Sequence, residues 1–134
     1  MIKLVVEAKL RAETIHDIET QLKRYMLAMS CPVGLLVTPN EVSIYKDTYV
    51  NRTESSIERL GPYRVPPDWI VARAAKTASP LEFEKAVGEW LERVTRSEAL
   101  RGFPAPAIDA FESLVVPALA DGLIQGSGPA IYVS

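Results

Sequence analysis

One cysteine and one histidine occur in 134 residues. Cys31 alone excludes an internal disulfide framework and a cysteine-rich zinc site. His16 alone excludes a metal centre built from several histidines of one chain. No apolar run approaches the roughly 20 residues that a bilayer-spanning helix needs, so no membrane association is expected. The apolar N-terminal segment has the length of a strand, without the basic-then-apolar layout of a secretory signal, and the cytoplasm is the expected setting. Charge of one sign is missing too. Fifteen basic against 17 acidic side chains leave a net charge of −2, too small to draw the whole molecule to nucleic acid or an anionic membrane. A local basic groove survives that test. With 48% hydrophobic and 24% charged residues, the composition suits one globular domain spanning 1–134 with a sizeable core.

The pattern along the chain predicts an α/β start and a mostly helical continuation. Ile2 to Leu10 reads as a strand. Ile15, Ile18, Leu22, Met26 and Met29 recur at helical spacing, which predicts a helix from about Ala12 to Met29 with these residues as its buried stripe. Cys31-Pro32 ends it, because a proline disfavours helical geometry in the residue before it. Val33 to Val37 is a continuous apolar run, as expected of a strand covered on both faces. A turn at Pro39-Asn40-Glu41 leads into a further strand over Val42 to Tyr45. A strand-helix-strand unit of this length reads as a parallel crossover, and the tight turn after it as a hairpin. Lys46 to Pro67 has weak periodicity and reads as loop with a helical turn near Ser55 to Leu60. From 66 to 134 helices dominate. Leu81, Phe83, Val87, Trp90, Leu91 and Val94 define one, and Ile108, Phe111, Leu114, Val115 and Leu119 another that Pro117 should bend. The tail Ala130-Ile131-Tyr132-Val133 reads as a short strand after a Gly-Ser-Gly-Pro turn.

Within the first strand, Leu4, Val6, Ala8 and Leu10 point one way and Lys3, Val5, Glu7 and Lys9 the other. Glu7 and Lys9 lie about 7 Å apart at the backbone, close enough to touch one bound water or one phosphate. Gln21 and Tyr25 are one helical turn apart and share a face. Asp17, a further turn back, continues that face. A Glu-x-Lys strand, a Gln-x-x-x-Tyr helix, an apolar strand ending Leu-Val-Thr-Pro and a hairpin strand follow in order. This order resembles the PD-(D/E)xK nuclease superfamily, the restriction-endonuclease-like fold, and within it the nuclease domains at the start of type I restriction motor subunits. The resemblance covers Ile2 to Asp47. It implies a restriction-endonuclease-like mixed sheet, truncated at its start, with 1–47 as the nuclease-like core and 66–134 as a helical extension. It also implies a nuclease, or a nuclease-derived nucleic-acid-binding domain, acting on DNA with magnesium. Glu7 would bind the metal through hard carboxylate oxygens. Lys9 would orient the attacking water and offset charge growing on phosphorus. Gln21 and Tyr25 would position DNA or the catalytic groups.

The family carries a second metal ligand, an aspartate, on a strand before the Glu-x-Lys strand. Only six residues precede Glu7 here, and none is acidic. Three explanations stand side by side: a degenerate, non-catalytic relative; a gene start placed too far downstream; or a carboxylate supplied from elsewhere, with Asp17 the internal candidate. A non-catalytic protein-interaction module on the same fold is the alternative function. Each residue also has a plain reading. Glu7 and Lys9 can be paired charges on a half-wet strand, worth a few tenths of a kcal/mol. His16 reads as a surface residue, Cys31 as a packed thiol, and Trp69 and Trp90 as core or interface anchors. Lys23, Arg24, Lys46, Arg52, Arg59, Arg64, Arg73 and Lys76 are interspersed with acids and read as a solvated mixed surface. A missing first strand would leave the Ile2–Leu10 edge open, and open edges recruit cover. The C-terminal strand is expected to cover it, either within the chain or across a homodimer, with the dimer preferred.

Overall fold

The computed structural model describes residues 2–11, 15–49, 53–120, 122, 124–127 and 130–134. Six strands form one sheet: β1 (Leu4–Ala8), β2 (Val33–Val37), β3 (Glu41–Asp47), β4 (Ile57–Arg64), β5 (Ile124–Ser127) and β6 (Ala130–Val133), in the spatial order β4-β3-β2-β1-β6-β5. Strands β1 and β2 are parallel, with Val6 beside Leu35 and Glu7 beside Leu36. All other neighbours are antiparallel. The crossover between the two parallel strands is α1 (Ile15–Ala28).

The sheet is covered on both faces, and the alternation within β1 decides what goes where. Leu4 and Val6 enter the larger core with Leu35, Val37, Val42 and Ile44, beneath the C-terminal helices. Val5 points the other way and packs with Leu36 and Tyr45 against Leu22 and Met26 of α1. The stripe expected of α1 is the one buried, with Ile15, Ile18 and Met29 at its margin. Helix α1 comes close because β2 offers a glycine beneath it. A Cβ on Gly34 would stand 2.7 Å from the sulfur of Met26. The helix closes through Cys31 N–H donating to the Met26 carbonyl at 2.8 Å, with Ser30 in the left-handed region at φ 51°.

The other face carries α2 (Ile70–Ala75), α3 (Pro80–Leu91), α4 (Ala105–Ala110) and α5 (Val116–Ala120). Helix α3 begins in a capping box: Ser79 Oγ accepts from the Glu82 amide at 3.2 Å, and Glu82 accepts from the Ser79 amide at 3.1 Å. Pro117 lies in the first turn of α5, following a π turn over Phe111–Val115 in which the Val116 amide reaches the Phe111 carbonyl. A proline clashes with the carbonyl four residues back and donates no hydrogen bond to it, so the wider turn accommodates it. Trp69 and Trp90 are core anchors, edge-to-face at 4.9 Å and flanked by Phe103 and Phe111.

Three expectations need correction. The stretch read as loop contains β4, with a 3₁₀ turn over Glu54–Ser56 before it. Its pattern is broken by Gly61-Pro62, where the β3 register shifts between Val42 and Ile44. The sheet core therefore extends past residue 47. The helical region also ends in two strands, β5 and β6, instead of one. Strand β6 covers the β1 edge within the chain, Leu4 beside Val133 and Val6 beside Ile131, so that edge no longer calls for a second copy. The expected start of α1 at Ala12 lies outside the described residues. Among the described residues, no helix is long and apolar enough to cross a membrane.

Candidate functional site

Glu7 is the unusual residue of the sheet. It belongs to the row Glu7, Leu36, Ser43 that crosses β1, β2 and β3 on the α1 face. Its side chain is fully buried, and neither carboxylate oxygen has a hydrogen-bond partner among the described residues. Lys9, two residues on and on the same face, brings its ammonium to 3.6 Å from Glu7 Oε2, with 30% of its side chain exposed. Burial pushes the Glu7 carboxyl above its ordinary value; Lys9 opposes that shift and the charge of Glu84 adds to it. This is not a pair of charges on a wet strand. A surface carboxylate stays solvated, whereas Glu7 is buried and has the Lys9 ammonium as its one charged partner among the described residues.

Gln21 and Tyr25 sit on the helix that covers this face. Gln21 is exposed, and its amide donates to the Tyr25 hydroxyl at 3.1 Å. Tyr25 is half-buried and packs at the margin of the Val5 cluster together with Tyr132 of β6. Burial raises the Tyr132 hydroxyl, and Tyr25 and Glu7 both add to the shift. Glu7, Lys9, Gln21 and Tyr25 fall on one side of the sheet. Asp17 is exposed on the first turn of α1; the acid whose charge reaches Glu7 is Glu84 of α3. Glu7 offers the hard oxygens magnesium takes. However, no group of three or more His, Cys, Asp or Glu side chains able to hold a metal comes together among the described residues. The donors present do not make a cation site, and no step through a metal is derived.

The same face holds a polar network that the sequence did not reveal. Glu19 of α1 accepts from the Tyr45 hydroxyl at 2.7 Å and pairs with Arg59 at 3.2 Å and Lys23 at 3.5 Å. Arg59 also donates to the Ser43 hydroxyl at 3.3 Å and 3.2 Å. Burial works against the Glu19 charge, but Tyr45, Lys23 and Arg59 together outweigh it and hold the carboxyl below its ordinary value. Burial and the bond to Glu19 push the Tyr45 hydroxyl well up. Lys23 is one helical turn from Glu19, but Tyr45 and Arg59 are 26 and 40 positions away, and Arg59 stands on the strand read as loop, so no local pattern could have joined those two. Cys31 is inert: it is buried, donates to the Val33 carbonyl, and burial pushes its thiol up to about 11.

Comparison with protein-family models, curated proteins and solved structures found no match. The site stands on its own geometry.

Proposed function

We propose that this chain is a restriction-endonuclease-like domain that binds nucleic acid, derived from a nuclease and holding an incomplete hydrolytic centre. The observation that carries the reading is Glu7, a carboxylate buried without a hydrogen-bond partner beside Lys9, under a helix that presents Gln21 and Tyr25. Burying an ion costs several kcal/mol, and strand packing has no need of it. Buried carboxylates perturbed by desolvation and a specific charged neighbour concentrate at functional sites.

The strand order supports the same reading. The family's aspartate lies on a strand next to the Glu-x-Lys strand. Here β6 takes the place beside β1, supplied from the C-terminal end of the domain. Continuing the register from Val6 and Ile131 brings Ala130 to the position opposite Glu7. The neighbouring strand is present and the acid is not. Hydrolysis would lack its second carboxylate, while Lys9 and the surrounding cations remain to meet phosphate.

Fluorescence anisotropy with labelled duplex and single-stranded DNA tests this. Saturable binding is expected within the range of about 10⁻⁶–10⁻⁴ M typical of non-specific complexes, falling with salt and weakened by Lys9→Ala. Plasmid incubated with magnesium or manganese should remain uncut. Absence of binding at low salt would leave the protein-interaction module standing; metal-dependent cutting abolished by Lys9→Ala would show a complete centre.

A further inference from the structure

The carboxyl ends of β1 and β2 open onto a cavity of about 550 Å³. In open α/β sheets ligands favour the crevice outside the carboxyl ends of parallel strands, and β1 and β2 are the parallel pair of this sheet. Leu10 and Arg11 follow β1, Pro39 and Asn40 follow β2, and the far wall comes from Arg64 at the end of β4 and Lys76 after α2. Three cations line the cavity and, among the described residues, no acid does. None of the three has a salt-bridge partner among the described residues. Lys23, Arg24, Lys46 and Arg59, by contrast, are each paired with a glutamate. The nearest acid in the ladder, Glu41, is the cross-strand partner of Arg64 but forms no ion pair with it. The floor is apolar and fine-grained, from Val65, Ala72, Ala75 and Ala78.

The turn that carries Asn40 is held in place. Thr38 Oγ1 accepts from the Asn40 and Glu41 amides at 3.4 Å and 3.1 Å, and the Asn40 carbonyl accepts from Val65 at 3.2 Å. The Asn40 side chain therefore starts from a fixed backbone. Exposed cations beside small apolar side chains fit a ligand with a phosphate at one end and a planar apolar body at the other. Two arginine forks and an ammonium match the three oxygens and double charge of a phosphate monoester. The volume lies within the 300–1,000 Å³ of ordinary ligand pockets.

We propose that this cavity binds a terminal phosphate monoester of nucleotide size, with Arg11, Arg64 and Lys76 on the phosphate and the alanine floor under the base. The inference does not rest on the nuclease-derived reading. The phosphate can belong to a free nucleotide or to a nucleic-acid 5′ end. A second cavity shares Leu10 and Arg11 with it and is lined by both Lys9 and Glu84.

Calorimetry on the full chain with inorganic phosphate, adenosine 5′-monophosphate, and a short oligonucleotide carrying either a 5′-phosphate or a 5′-hydroxyl tests it. The nucleotide should bind more tightly than inorganic phosphate, and an Arg64→Ala/Lys76→Ala pair should weaken it at least tenfold. Arg93→Ala, in the cavity beside Trp69, should change nothing. Arg64 and Lys76 are exposed, so the pair should keep the wild-type melting temperature; if it does not, Arg11→Gln alone carries the test. A 5′-phosphorylated oligonucleotide that outbinds both the nucleotide and its 5′-hydroxyl twin assigns the source to a nucleic-acid end. Equal binding of the two oligonucleotides with none of the nucleotide overturns the pocket, as does nucleotide binding unmoved by the variants. The first of those results would leave general nucleic-acid binding intact.

Discussion

Replacing Glu7 with glutamine keeps the size of the side chain and removes its charge, which makes stability against pH the direct readout of the site. Burial raises this carboxyl above its ordinary value of 4.5, so the folded protein holds the proton more tightly than the unfolded chain does. Below the ordinary value both states are protonated and Glu7 is without ionisation penalty. As pH rises from there through the raised value, the wild type loses stability relative to Glu7→Gln, with a limiting slope of about 1.4 kcal/mol per pH unit for one proton. Above the raised value the difference is constant. The amide also needs partners, at a cost of about 1–3 kcal/mol that does not change with pH. The slope of the difference carries the test.

Lys9 sets how far the effect goes. Two charges 3.6 Å apart attract by roughly 5 kcal/mol at an effective dielectric of about 20, and desolvation of the carboxylate offsets most of that. Lys9 is 30% exposed, so solvent screens the pair further. Lys9→Met should cost about 1–3 kcal/mol near pH 8 and much less at pH 4, and almost nothing in the Glu7→Gln background, a coupling that a double-mutant cycle isolates. Urea unfolding followed by the fluorescence of the two buried tryptophans, from pH 4 to pH 9, measures all four proteins. Parallel pH profiles for wild type and Glu7→Gln would refute the buried, unpartnered carboxylate.

Tyr45→Phe removes the hydroxyl that donates to Glu19 at 2.7 Å and should cost about 1–2 kcal/mol at neutral pH, since Arg59 and Lys23 remain. Because folding lowers the Glu19 carboxyl, its stabilisation is present above the ordinary value and is lost as pH falls through the lowered one; the cost of Tyr45→Phe should shrink in acid by the same unfolding assay. Gly34→Ala puts a Cβ 2.7 Å from the Met26 sulfur and should destabilise by about 1–3 kcal/mol by forcing α1 outward; an unchanged melting temperature would show that α1 is free to shift. Magnesium or manganese should bind weakly by calorimetry, and Ala130→Asp, opposite Glu7 by register, should strengthen binding at least tenfold.

The first half of the fold was readable because local rules and tertiary packing agree there. The 3.6-residue stripe of α1 names the face that is buried, and the continuous run of β2 a strand buried on both faces. β1 alternates between two cores, Leu4 and Val6 in one and Val5 in the other, so both of its faces are covered. β4 was unreadable for a physical reason. Gly61-Pro62 breaks its alternation, and four of its residues, Glu58, Gly61, Pro62 and Arg64, are exposed, so no apolar period marks it. The pairing of β6 beside β1 was one of two options for a tail that no local signal could place. Edge chemistry required a cover but did not say from which chain. The aromatic cluster also changes the argument for association. Trp69 and Trp90 fill the interior instead of offering apolar surface, so light scattering now tests a dimer that neither the tail nor the tryptophans require.

The candidate site divides along the same line. Glu7 and Lys9 are two residues apart on one extended segment, and Gln21 and Tyr25 one turn apart on α1, so spacing pairs each within its own element. The structure places both pairs on the α1 side of the sheet, the face carrying Val5. What spacing could not supply is the solvation of Glu7. Burial of a carboxylate depends on the strands and helices packed around it, which no local spacing specifies: β1 lies between β2 and β6, with α1 over the Glu7 face. The same holds for the basic residues. In sequence they alternate with acids and read as a mixed surface, and four of them are indeed paired with glutamates. Arg11, Arg64 and Lys76 gather only because β1, β4 and the end of α2 finish at the same rim. A charge becomes functional through the partners that folding withholds as much as through those it provides. Among the described residues the three cations of the cavity have no carboxylate paired with them, and that deficit is one a phosphate would fill; the buried Glu7 carboxylate, itself an anion beside Lys9, would repel it.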